Sequence, residues 1–412
     1  MWRIEYLTTY IILVLAILAM ACSPRTTYSI YEQDQLLPRD GSRDDHNRCC
    51  RLSESYLPDS TDIKVLRVVF HYMYDGNGNE NFARDKAITY ANELIEKCNK
   101  SLMAPIPPRL PLEDPLPGYP KGYRYQITPF SDSPGDIGIY FHNDEDLYHF
   151  IAYGENRNNY DRTVINKYQT PSDSFINIFM MPHHPDSVAS PTYKARRNGI
   201  ALGYSVKVAG YYSNDHPASH FSGLVNHEIG HILGLSHTWN SRDGCEDTPE
   251  HHNCWNKTSE PPCDTAWSNN MMDYNAFQNA LSPCQVSRVR RNLVRWRSRN
   301  RRMVIPTWCQ KKDTIIITDS INWISERDIT SDVIIKNGGT LRIMCRTSMP
   351  EGGQILVEPG GQLILDRTWL HNSCDLSWNG ILIGKKGDRS GRVEEVGPVR
   401  MDNIKQSHDG LE

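Results

Sequence analysis

Apolar residues follow three rhythms along the 412-residue chain. The first is an unbroken run, "IILVLAILAMA" from Ile11 to Ala21, with Arg3 ahead of it and Cys22 behind it. It is too short to span a bilayer comfortably, so residues 1–21 read as a cleaved export signal rather than an anchor helix. Residues 22–60 are polar and carry no period, which fits a linker or a removable pro-segment.

The second rhythm mixes strand and helix patterns over residues 61–302. "IKVLRVVFHYMY" (Ile63–Tyr74) predicts a buried strand, and the following segment sets Ile88, Ala91, Leu94, Ile95 and Cys98 at helical spacing. After a proline-rich loop, "GYRYQITPF", "IGIYFH", "INIFMM" and "GIALGYSVKV" predict further strands. Strands around one early helix, then a histidine-rich helix, predict a mixed α/β (α+β) domain. "GIALGYSVKV" is either an interior strand or the edge strand that pairs with an extended substrate.

Beyond Trp308 the texture changes. "VIIKNGGTLRI" (Val333–Ile343) superimposes on "ILVEPGGQLIL" (Ile355–Leu365) at an offset of 22, with the paired glycines aligned, and "NGILIGKKG" (Asn379–Gly387) is a third, partial copy. Short units at this period predict a small all-β parallel solenoid over residues 313–390, the alternative being a sandwich of hairpins. Residues 391–412 read as a polar tail.

Composition narrows the function. With 39% hydrophobic and 23% charged residues the chain is of the globular class, and a net charge of −4 argues against nucleic acid as a partner. The basic stretch "RVRRNLVRWRSRNRR" (Arg288–Arg302) sets Val289, Leu293 and Trp296 at helical spacing and reads as a helix with a solvated arginine face. There are eleven cysteines, none in CxxC spacing, so export makes disulfides the expectation, above all among Cys245, Cys254, Cys263 and Cys284.

The candidate chemistry lies in "HEIGHILGLSH", His227 to His237. His227 and His231 are four apart and share one helix face, where they can meet one ion. Glu228 sits beside them, within reach of a water on that ion. Gly234 lets the helix end and the chain turn, bringing His237 round as a third nitrogen. Three imidazoles with an open fourth position describe a catalytic zinc site.

The full HExxHxxGxxH spacing resembles the metzincin metallopeptidases, and "NNMMDYN" (Asn269–Asn275) resembles their methionine turn. "HTW" from His237, "CEDTP" (Cys245–Pro249) and "MMDYN" before "LSPCQVSRVR" resemble the pappalysin group within that class, over roughly residues 48–300. The resemblance implies a twisted mixed sheet with the active-site helix above it. It also implies Met272 beneath the metal and Tyr274 at its side, where its hydroxyl would bind the developing oxyanion. Calcium near the cleft is implied too, with Asp243, Glu246, Asp247 and Asp273 as candidate donors. Cys49 and Cys50, ahead of the first strand, are candidates for a latency ligand on the metal or for a structural disulfide. "LAMAC" resembles a bacterial lipoprotein signal, so Cys22 is a candidate acylation site, with simple secretion as the alternative.

The expectation is an exported zinc endopeptidase acting on proteins or peptides, held at a bacterial cell envelope by a lipid anchor or released. The competing class is a surface binding protein in which the solenoid adheres to a ligand and the peptidase domain is accessory.

Overall fold

The computed structural model describes residues 26–31, 63–110, 113, 115–189, 197–210, 217–240 and 243–405, divided into two compact units. Cys22, Cys49 and Cys50 lie outside the described residues. The first strand met is β1 (Thr27–Ile30), which belongs to the C-terminal unit.

The larger unit, residues 52–305, holds one six-stranded sheet. Its strands are β2 (Lys64–Tyr74), β3 (Tyr123–Ile127), β4 (Ile139–Asn143), β5 (Ile176–Met181), β6 (Asn198–Leu202) and β7 (Ser205–Ala209). The order is β3-β2-β5-β7-β6, with β4 also beside β2, and every pairing is parallel except β6 with β7. β2 and β5 are almost wholly buried, which is why both read as continuous apolar runs rather than alternating ones.

The stretch "GIALGYSVKV", read as a single strand, is a hairpin. Leu202 pairs with Ser205 across two residues, and Gly203 sits at φ +71°, a left-handed geometry that lets the chain reverse there. β6 is thereby the outer strand of the sheet.

Helix α1 (Arg84–Met103) buries Ala87, Tyr90, Ala91, Leu94, Ile95, Cys98 and Leu102, a stripe at helical spacing. It packs against helix α4, and Tyr72 of β2 donates its hydroxyl to the Ala87 carbonyl (2.9 Å). Short helices α2 (Thr163–Tyr168) and α3 (Pro185–Ala189) precede α4 (Ser219–Ile232), which lies against β6 and β7. Helix α5 (Pro283–Val294) opens on a capping box between Ser282 and Gln285. The arginine segment is broken: α5 ends at Val294, Arg297 takes φ +61°, and α6 covers Arg299–Arg302. Its arginines are not a uniformly solvated face. Arg290 and Arg301 are buried, and their guanidiniums donate to the carbonyls of Gly122 (3.1 Å) and Val294 (3.3 Å).

In the C-terminal unit the chain coils through three parallel sheets. The first is built from β8 (Asp313–Ile317), β11 (Ser331–Ile335), β14 (Ile355–Val357) and β17 (Ile381–Lys386). The second has β9 (Ser320–Trp323), β12 (Thr340–Ile343), β15 (Gln362–Leu365) and β19 (Arg392–Glu395). The third has β10 (Arg327–Asp328), β13 (Thr347–Ser348), β16 (Trp369–His371) and β20 (Arg400–Met401). Val333 pairs with Ile355 and Leu341 with Leu363, the 22-residue offset seen in the sequence, so this is a solenoid and not a sandwich. The paired glycines turn its corners: a Cβ on Gly339 would lie 2.4 Å from the Ile317 carbonyl oxygen, and one on Gly361 2.6 Å from that of Ile335.

Two expectations at the ends are corrected. Residues 391–401 are no polar tail, because β19 and β20 add one more strand to two of the sheets. Within the expected linker, β1 pairs antiparallel with β17, and β18 (Arg389–Ser390) also folds back on β17. The apolar periodicity was too short in these strands to register. Cys309 and Cys374 are bonded across this unit.

Candidate active site

Helix α4 carries His227, Glu228 and His231 and stops three residues short of Leu235. Leu235 N donates to the Gly230 carbonyl and Gly234 N to that of His231, each at 3.0 Å, with Gly234 at φ +94°. This pair of bonds is a Schellman motif, and only a residue free to take the left-handed geometry closes it cheaply. The turn returns the chain so that three imidazole Nε2 atoms converge: His227 to His231 3.2 Å, His231 to His237 3.1 Å, His227 to His237 3.3 Å. Tetrahedral zinc with bonds of about 2.0–2.1 Å places its nitrogens roughly 3.3 Å apart, so this donor set fits zinc.

The tautomers are fixed from behind. His227 Nδ1 donates to the Met271 carbonyl (2.7 Å) and His231 Nδ1 to that of Leu235 (2.9 Å), which leaves both Nε2 lone pairs facing inward. Burial, reinforced by the neighbouring rings, lowers His227 to about 3 and His237 to about 4, and burial also lowers His231. All three are therefore neutral at physiological pH, the form that ligates. Glu228 is buried, which pushes its carboxyl up to about 7 against the opposing backbone N–H of Ala201 in β6. The edge strand and the carboxylate are thus in direct contact.

Asn270 and Asn275 build the turn beneath the rings. Asn270 Oδ1 accepts from Met272 N (2.9 Å), and Asn275 Nδ2 donates to the Asn270 carbonyl (2.8 Å). Met272 is fully buried below α4. Tyr274 is half-exposed, its ring 5.1 Å from His237, 5.6 Å from His227 and 4.7 Å from Trp239, which itself stacks on His237 at 4.0 Å. Met272 thus packs under the helix that carries the histidines, and Tyr274 borders His227 and His237.

The four acids expected to share calcium do not converge among the described residues. Asp273 is buried and accepts from Thr238 Oγ1 and from His251 Nε2 (3.0 Å). Asp243 accepts from Cys245 N (3.0 Å) and Thr248 Oγ1, and Asp247 from Ser282 Oγ (2.7 Å) and Cys284 N (2.9 Å). Glu246 is exposed. Three of these carboxylates are occupied in holding loops, and the fourth stands apart. The cysteine group resolves into Cys245–Cys284 and Cys254–Cys263, so Cys284 is a disulfide partner here.

Sequence reading missed several supporting residues: the Met271 carbonyl, Thr238, His251, Trp239 and Gly230. Of these Gly230 left a signal as a glycine inside a helical pattern, and Thr238 and Trp239 stood in the quoted HTW without a role.

With three neutral imidazoles turning their Nε2 atoms to one point next to the buried Glu228, and Met272 packed below, the chain carries the centre of a zinc metallopeptidase of the metzincin type. Residues 158–294 match the family model of peptidase family M43, described as pregnancy-associated plasma protein-A. No curated protein matches the chain. Among solved structures, mature mirolysin of Tannerella forsythia with a cleaved peptide is 19% identical, covers 60% of this chain and 97% of its own, and has a TM-score of 0.42. Mirolysin with a compound is similar at 17% identity, 60% and 97% coverage and TM-score 0.41. A promirolysin mutant from the same organism is similar at 17% identity, 61% and 86% coverage and TM-score 0.40.

Proposed function

We propose that the chain is an exported endopeptidase that hydrolyses peptide bonds at the His227–His231–His237 centre. The observation that carries the proposal is the mutual approach of the three Nε2 atoms beside the buried Glu228. Zinc held there would polarise the scissile carbonyl and bring the pKa of a water toward neutrality. Glu228 takes the proton of the attacking water and hands it to the leaving amine; a carboxyl tuned near 7 suits both directions of transfer. Tyr274, whose ring borders His227 and His237, donates its hydroxyl to the developing oxyanion. β6, the last strand of its sheet among the described residues and touching Glu228, aligns an extended substrate by strand pairing.

Export follows from residues 1–21, and acylation of Cys22 would hold the enzyme at a membrane of the cell envelope. The test of the activity is cleavage of a peptide library with and without chelator, beside the Glu228→Ala variant. Zinc should remain stoichiometric in that variant while turnover falls by about 10²-fold or more. Near-wild-type cleavage would remove Glu228 from its role, and a metal-free purified enzyme that still cleaves would remove the centre itself.

A further inference from the structure

The outer face of the first solenoid sheet carries a column of aliphatic side chains that are neither polar nor buried. Register sets Ile316 of β8 beside Ile334 of β11, then Leu356 of β14, Leu382 of β17 and Ile30 of β1. Their neighbours in each strand, such as Val333, Ile335 and Ile355, point the other way into the core. Five strands about 4.8 Å apart make this column roughly 19 Å long. Ile316 is 57% exposed, Ile30 47%, and Tyr28, whose ring lies over Gly384, 55%. Two acids beside the column are matched by cations: Lys336 pairs with Glu358 (2.6 Å) and Lys311 with Asp332 (3.2 Å). At the β1 end the β17–β18 turn adds Lys386 and Arg389, which pair across the two strands and are both exposed, against one acid, Asp388.

We propose that this face rests on an anionic lipid surface, with the Ile316–Ile334–Leu356–Leu382–Ile30 column and Tyr28 entering the interface and Lys386 and Arg389 meeting the headgroups. Chain length identifies the occupant. Cys22, the candidate acylation site, stands five residues before Thr27, and five extended residues reach at most about 17 Å, less than the length of the column. An acyl group on Cys22 therefore delivers β1, and the sheet edge it is bonded to, to the bilayer. An apolar patch with adjacent basic residues adds a second contact to such an anchor and orients the sheet on the surface. The inference leans on the export reading above for its membrane, but its assay does not use the acyl group.

The mature chain carrying Cys22→Ala is mixed with vesicles of phosphatidylethanolamine and phosphatidylglycerol and sedimented. Measurable binding is expected. It should fall about tenfold in the double variant Ile316→Ser with Tyr28→Ser, since two half-exposed apolar side chains are lost, and several-fold in Lys386→Glu with Arg389→Glu. Ile316→Ser alone, far from β1, should show part of the loss, so that a weakened β1 pairing is not mistaken for it. Ile364→Ser, on the second sheet, should bind like the parent. No binding by the parent, or equal binding by the Ile316 and Tyr28 variants, overturns the proposal. So does a change in oligomeric state in those variants without a change in vesicle binding, which would make the column an interface between copies. Mass spectrometry of Cys22 in protein isolated from its envelope reports separately on acylation, so the two readings fail independently.

Discussion

A Cβ on Gly230 would lie 2.6 Å from Met272 Sδ, so the zinc helix rests directly on the methionine of the turn below it. No other residue type at 230 fits without moving that sulfur. Gly230→Ala should therefore cost about 1–3 kcal/mol of stability as an overpacked core substitution. Urea unfolding of Gly230→Ala, Met272→Ala and the double variant tests the contact, because a real clash makes the double variant milder than the sum. Additive costs would show that the two residues do not meet.

Asp273 joins three loops: it accepts from Thr238, next to His237, and from His251, and it follows Met272 in the turn. Burial opposes its ionisation, yet His251 holds its carboxyl below the usual range, and Asp273 in turn raises His251 although burial acts against it. Asp273→Asn should weaken zinc binding, because Asp273 holds Thr238 and with it the loop that presents His237. His251→Gln should do so less. Competition with a calibrated chelator gives the affinity directly, and an unchanged constant would leave Asp273 a loop staple only.

A second histidine pair predicts acid sensitivity away from the metal. His71 Nδ1 lies 3.0 Å from His142 Nε2, and its other nitrogen 3.0 Å from Asn177 Oδ1. Burial, then the neighbouring His142, lowers His71 to about 3, while burial lowers His142 to about 4 against the pull of Asp144. Both folded values lie below 6.5, so the neutral rings favour the fold above that pH, and their contribution is lost as pH falls through it toward 4. The loss is on the order of 1 kcal/mol per pH unit for each ring. Replacing His142 by Gln should flatten the drop in melting temperature between neutral pH and about pH 5. Parallel curves for variant and wild type would contradict this.

The bond between Cys245 and Cys284, 39 residues apart, closes a loop that includes the Met-turn. Cys245→Ala with Cys284→Ala should lower stability by about 3–4 kcal/mol, mostly through the unfolded chain. Guanidinium unfolding measures it, and a cost below about 1 kcal/mol would mean that the surrounding hydrogen bonds, such as Cys284 N to Asp247, hold the loop alone.

Local rules make the three-histidine cluster, the helix stop at Gly234 and the solenoid period legible along the chain: four residues to a helix face, a left-handed corner that needs glycine, a coil length that repeats. Resemblance alone points to Met272 and Tyr274. What the acids do is written in the packing: Asp247 and Asp273 accept from groups 22 to 37 residues away, which no periodicity records, while Asp243 holds its own loop through Cys245 N and Thr248. The hairpin at Gly203, the interior arginines Arg290 and Arg301, and β1 lying on β17 escaped for the same reason. A strand of four residues carries too little pattern to identify itself. Its partner, 350 or so residues away, supplies the hydrogen bonds that make it one.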